Sequence, residues 1–155
     1  MIETYSKNID VTESTAIPLN TIALMKGCTA TKSGTTAIQL QRAGIYEVNV
    51  SATAKLQALA SAPTSTTDST AVAQAGDSNV IAIQLYKDNV TQPQAYSAVT
   101  ASDTTSLHPL SFTTLIQVPT NNSQCCCSSP VTIDIVNQGA DATYDTIDVV
   151  VTKIC

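Results

Sequence analysis

The chain has 155 residues and a mass of 16.2 kDa, the size of one domain that can build its own core. Only 12% of residues are charged, about half the usual share, while 24 Thr and 15 Ser supply small hydroxyls. The net charge of −5, with seven basic residues that never cluster, gives no concentrated basic patch for nucleic acid, and the composition excludes coiled coils, collagen and Lys/Glu-rich helical bundles.

Residues 1–13 are polar, and Met1 to Asp10 carries neither the basic start nor the apolar stretch of a secretory signal. They are read as an N-terminal extension, a natural anchor to a larger assembly, ahead of a sandwich over residues 14–155. Ala16 to Met25 (AIPLNTIALM) predicts a strand pair or a bent strand, and Ala37 to Leu40 a short strand before the turn at Arg42-Ala43-Gly44. Ile45 to Leu56 alternates strictly: Tyr46, Val48, Val50, Ala52, Ala54 and Leu56 against Glu47, Asn49, Ser51, Thr53 and Lys55. That is the pattern of a strand with one wet face. Gln57 to Ser78 is rich in Ala, Ser and Thr and reads as a surface excursion.

Ile81, Ile83 and Leu85 share a face in the next strand, which Lys87-Asp88-Asn89 closes as a turn, with Pro93 to Ala101 as hairpin partner. In Leu107 to Val118, Leu110, Phe112, Thr114, Ile116 and Val118 alternate with polar residues. Val131, Ile133 and Ile135 point inward from the following strand, with Asp134 outward, and Gln138 to Ala142 turns about Gly139. Strands at this spacing, with scarcely any helix, predict an all-β, two-sheet sandwich. No apolar run is long enough to cross a bilayer as a helix.

The closing strand, Tyr144 to Ile154, carries Ile147, Val149 and Val151 on one face but Val150 and Ile154 on the other. A strand apolar on both faces is covered on both. A second subunit is the expected outer cover; the alternative is that the Gln57–Ser78 loop or the N-terminal segment folds over that face.

The search for chemistry finds little. Five cysteines, Cys28, Cys125, Cys126, Cys127 and Cys155, cannot all pair internally and lack the spacing of a zinc site. The triplet reads as free thiols in a polar loop; the sharper alternative is cross-linking between chains in an oxidising medium. The single His108, with Asp103 nearby, leaves a Cys–His pair as a third option, and otherwise reads as a loop or capping histidine. Asp141, Asp145 and Asp148 could supply part of a calcium shell but read better as a solvated acidic turn. No hydrolase elbow, P-loop, zincin or dinucleotide motif occurs. The expectation is therefore no catalysis, no cofactor and no metal.

In their order along residues 16–154, several segments resemble the C1q/TNF-like jelly rolls. Thr36 to Leu40 followed by Arg42-Ala43-Gly44-Ile45-Tyr46-Glu47-Val48 resembles the family's Gly-x-Tyr strand start. Ile83 to Asn89 (IQLYKDN) resembles its hairpin, with Asp88-Asn89 where the family has Asn-Gly. Leu110 to Val118 and Tyr144 to Ile154 resemble its later and closing strands. The family's aromatic residues near the closing strand are replaced here by Ile147 and Val149. The sequence is more similar to bacterial and bacteriophage versions, found in head fibres, capsid decorations, tail appendages and spore surfaces.

The resemblance implies a homotrimer about a three-fold axis, with Tyr46, Ile147, Val149, Val150, Val151 and Ile154 as the candidate interface. It implies a structural virion protein, made in the host cytoplasm and attached to a larger shell as a capsid decoration or head fibre of a tailed bacteriophage. No nucleic-acid or membrane partner is expected. The alternative is a receptor- or glycan-binding tip of a phage tail appendage, or a spore-surface domain.

Overall fold

Alternation of apolar and small polar side chains governs the whole chain, and the computed structural model, which describes residues 1–59, 79–119 and 130–154, converts that alternation into two facing sheets. Eleven strands and no helix occur among the described residues: β1 (Ile2–Val11), β2 (Thr15–Ala16), β3 (Thr21–Met25), β4 (Ala30–Ser33), β5 (Ala37–Leu40), β6 (Gly44–Leu56), β7 (Val80–Lys87), β8 (Val90–Thr100), β9 (His108–Val118), β10 (Val131–Asn137) and β11 (Ala142–Lys153). One sheet has the order β3-β1-β11-β6-β9 and the other β4-β5-β10-β7-β8, with β2 paired to β10. Every pairing is antiparallel. The chain changes layer at every connection between successive strands except β4–β5 and β7–β8, so neighbours in sequence mostly face each other across the core as in a jelly roll.

The inner faces interdigitate. Val48, Val50, Leu56, Leu110, Ile147, Val149 and Val151 of one sheet meet Ile38, Leu40, Ile81, Ile83, Leu85, Ile133 and Ile135 of the other, all buried. Each such side chain contributes about 1.5–3 kcal/mol of transfer free energy. Both prolines inside described strands, Pro93 in β8 and Pro109 in β9, lie on edge strands, which pair on one side only and so tolerate a residue without an N–H.

The N-terminal residues are not an extension. Ile2–Val11 forms a strand inside the five-stranded sheet, paired to β11 on one side and β3 on the other. Ile2, Thr4 and Ser6 point into the core, and Glu3, Tyr5 and Lys7 point out. The inward phase includes a threonine and a serine, so its hydropathy hides the alternation; Ser6 Oγ accepts a bond from the Asn20 N–H at 2.6 Å. The sandwich therefore begins near residue 2, not 14.

The other boundaries follow the sequence reading closely. The ambiguous Ala16–Met25 segment resolves into β2 and β3, on different sheets. The Asp88-Asn89 turn is built with both residues at positive φ, 48° and 64°, the geometry that matches the twist of a two-residue hairpin. Most of the Gln57–Ser78 excursion, the Cys125–Cys127 triplet and Cys155 lie outside the described residues. Cys28 is a free, exposed thiol.

Candidate assembly surface

The outer face of the five-stranded sheet is one continuous strand-paired surface. The register aligns Glu3, Val150, Asn49 and Thr113 in one row across β1, β11, β6 and β9. Tyr5, Asp148, Ser51 and Ser111 form the next row. At the opposite end Ile154 bonds through its N–H to the Ile45 carbonyl at 2.8 Å, extending the β11–β6 ladder by one residue. Leu115, 58% exposed, lies opposite Glu47, and Ile45 and Ile154 are exposed as well. The face thus mixes isolated aliphatic side chains with short hydroxyl and amide groups and the carboxylates of Glu3, Glu47 and Asp148. Thr113 Oγ1 donates to Asn49 Oδ1, whose Nδ2 donates to Glu47 at 2.7 Å, so the polar groups brace one another.

A shallow depression of about 410 Å³ lies in this face where β6, β9 and β11 carry Ser51, Ser111 and Asp148. Asp148 is its one charged group. Its Oδ1 is buried without a hydrogen-bond partner. Desolvation, and then the neighbouring Glu3 charge, hold its pKa above the ordinary value, against a backbone bond from Val149. A carboxylate whose folded-state pKa is raised opposes folding when ionised. That penalty is absent below the unfolded value, about 3.9, grows as pH rises from there to the folded pKa, and is complete above it. Asp148→Asn is therefore expected to melt a few degrees higher than the parent at neutral pH, with the gain gone at about pH 3. A lower melting temperature at neutral pH would mean that the carboxylate has a partner in solution.

Placement of the six candidate interface residues corrects the sequence reading. Tyr46, Ile147, Val149 and Val151 are fully buried inside the protomer and cannot touch a neighbour. Tyr46 donates to the Arg42 carbonyl at 2.7 Å, with the Thr29 carbonyl at 3.1 Å, pinning the start of β6 to two turns; burial raises its pKa. Only Val150 and Ile154 reach the outer face. The sequence reading missed Leu115 and Ile45. Both are aliphatic residues at the wet phase of their strands, the same signal that singled out Val150.

The other sequence candidates are not brought together. Asp103 spends both carboxylate oxygens on Thr105 and Ser106, which hold its pKa low, and makes no bond to His108. His108 Nε2 is buried without a partner, at the first residue of β9. Asp141 accepts a bond from the Glu13 N–H at 2.8 Å, whereas Asp148 lies mid-strand, so the aspartates do not converge. No group of three potential metal ligands occurs among the described residues. No helix of the described chain is long and apolar enough to cross a membrane.

No family model and no curated protein sequence matches the chain. Solved structures do match it in shape. The crystal structures of murine APRIL at pH 5.0, pH 8.5 and pH 8.0 align with TM-scores of 0.61, 0.58 and 0.54 at 7%, 9% and 9% identity, each over 99% of this chain and 98% of the other. The class is thus defined by architecture: an all-β, TNF-like jelly roll. At such identities the likeness is one of fold, and the same fold hosts unrelated functions.

Proposed function

We propose that the chain is a structural subunit that works by assembly and binding: a homotrimer, attached to a larger protein shell as a capsid decoration or head fibre of a tailed bacteriophage. The observation that carries the assembly step is the outer face of the five-stranded sheet. It is broad and strand-paired, it bears Val150, Ile154, Ile45 and Leu115 at phases that water normally takes, and its central carboxylate is already partly desolvated. Packing copies of this face together would cover those aliphatic groups, and the short polar side chains between them allow close approach. The resemblance of the closing strand and the Gly44-Ile45-Tyr46 segment to phage and bacterial jelly rolls supports the virion setting. So does a surface rich in hydroxyls and poor in charge, which stays soluble at high local density.

Light scattering with and without reductant tests the assembly. The expected mass is three times that of the chain in both conditions. Leu115→Glu is expected to shift the protein to monomer while its β-sheet circular dichroism is retained, because each charge would be desolvated against a neighbour. A monomeric parent chain sinks the trimer, and a trimer lost only on reduction assigns assembly to the thiols. The virion setting is tested by peptide mass spectrometry of purified particles, where the chain is expected in stoichiometric amount.

A further inference from the structure

The outer face of the other sheet carries a cleft of about 570 Å³ between β2, β5, β10 and the β7–β8 turn. That volume lies within the range of small-molecule sites. Its floor is apolar and small: Ala16, Ala37 and Val136. Asp134 rises from it mid-strand on β10, directly opposite Tyr86 on β7. The Asp134 carboxylate is half-buried, accepts a bond from the Thr36 side chain, and has its pKa raised by desolvation. Tyr86 borders the cleft, and its hydroxyl accepts a bond from Gln138 Nε2 at 2.7 Å, which fixes both side chains.

Backbone with positive φ gathers at the same place. Among the described residues four non-glycine residues have positive φ, and two of them, Ser14 (57°) and Asn89 (64°), line this cleft, while a third, Asp88 (48°), adjoins it. The turn is clamped to β10: Asp88 N–H donates to the Thr132 carbonyl, and the Thr132 N–H donates to Asp88 Oδ1, both at 2.8 Å. Ser14 N–H is likewise held by the Asn137 carbonyl at 2.7 Å. Asp88 and Asn89 take the ordinary conformation of their hairpin turn, whereas positive φ in a serine is costly and persists where surrounding structure holds it. Here these conformations fix an amide and a hydroxyl at opposite rims of one cleft.

The lining chemistry selects a ligand class. There is no Lys or Arg among the lining residues, and the single charge is a carboxylate, which repels anions. One carboxylate is far short of a calcium shell. What remains is a carboxylate and two amides, able to bridge neighbouring hydroxyls, two further hydroxyls, and an aromatic ring over an apolar floor. That combination fits a neutral sugar ring, with hydroxyls at its rim and C–H groups on its faces. We propose that this cleft is a carbohydrate-binding site, with Asp134, Asn89 and Gln138 holding sugar hydroxyls and Tyr86 packing against the ring. The cleft is on the sheet opposite the assembly face, so either reading can fail without the other.

Saturation-transfer NMR with glucose, galactose, mannose, N-acetylglucosamine and rhamnose, followed by a printed oligosaccharide array, tests it on the full chain. Transfer to at least one of these sugars is expected. Asp134→Asn and Asn89→Gly are each expected to weaken binding by about tenfold or more. Asn89→Gly keeps the turn, because glycine adopts positive φ freely, so an unchanged or higher melting temperature separates lost binding from lost folding. No transfer and no array binding overturns the proposal. So does binding that both variants leave unchanged.

Discussion

Gly139→Ala is expected to be the most damaging single-methyl change in the protein. Residues 138–140 lie against the first residues of β7: Gln138 N–H donates to the Ala82 carbonyl at 2.9 Å and Ala140 N–H to the Val80 carbonyl at 2.8 Å. A Cβ on Gly139 would fall 2.6 Å from the Ala82 nitrogen, 3.0 Å from the Ile81 Cα, and closer still to the Val80 carbonyl oxygen. All three obstacles are backbone of a central strand, so nothing can rotate away. The segment must lift, and both hydrogen bonds then lengthen. Overpacking alone costs about 1–3 kcal/mol, and two weakened hydrogen bonds add roughly 1 kcal/mol each. A loss on the order of 4 kcal/mol is a large part of the about 5–15 kcal/mol that holds a domain folded. Urea unfolding followed by circular dichroism reads it directly. A midpoint equal to that of the parent would show that the turn has room that its hydrogen bonds deny.

Asn137→Ala should come next. Asn137 is completely buried, yet its polar atoms are satisfied. Its amide nitrogen donates to the Ala140 carbonyl at 3.0 Å and to the Val11 and Thr12 carbonyls at 3.3 Å each, and its oxygen accepts the Tyr144 hydroxyl at 3.1 Å. One side chain thereby ties the ends of β10 and β1, the Gly139 turn and β11 together. Truncation strands the Tyr144 hydroxyl in the core, where burial already raises its pKa. Each stranded group costs about 1–3 kcal/mol, so about 3–5 kcal/mol is expected in all, a fall in melting temperature on the order of 10 °C. Asn137→Asp should be worse at neutral pH, since it turns a buried charge toward three carbonyls. Adding Tyr144→Phe to Asn137→Ala should cost less than the two separate losses combined, because the orphaned hydroxyl is gone. Strict additivity would refute the network.

Both effects concern one corner of the sandwich, and the sequence showed only half of it. Gly139 was legible as the centre of a turn, but any small turn residue would satisfy a turn. The demand for glycine comes from the close approach of β7, some sixty residues away in the chain. Asn137 continues the inward phase of Val131, Ile133 and Ile135 at the end of β10. Its inward phase was readable; its partners on β1 and β11 were not.

The same division runs through the molecule. Nearly every strand from β5 to β11 was readable by period-two alternation, because a sheet with one buried face imposes that period on its residues whatever lies opposite. β1 escaped because Thr4 and Ser6 occupy inward positions, which breaks the hydropathy contrast but not the geometry. The candidate interface went wrong for a related reason. Alternation assigns residues to two faces but does not say which face is shared with another subunit. Ile147, Val149 and Val151 were legible as apolar, and only the packing of the second sheet against them showed that their partner is within the chain.

By itself, then, the sequence determined the all-β class, the strand periods, the turn positions and, at Val150 and Ile154, aliphatic residues out of phase with the core. All of these are set by local sterics and hydropathy. Tertiary structure decided which face is core, that the N-terminal strand belongs inside a sheet, why Gly139 and Asn137 are needed, and that Asp134, Tyr86, Asn89 and Ser14 share one cleft. Those depend on contacts between residues far apart in sequence, whose pairing no local pattern encodes.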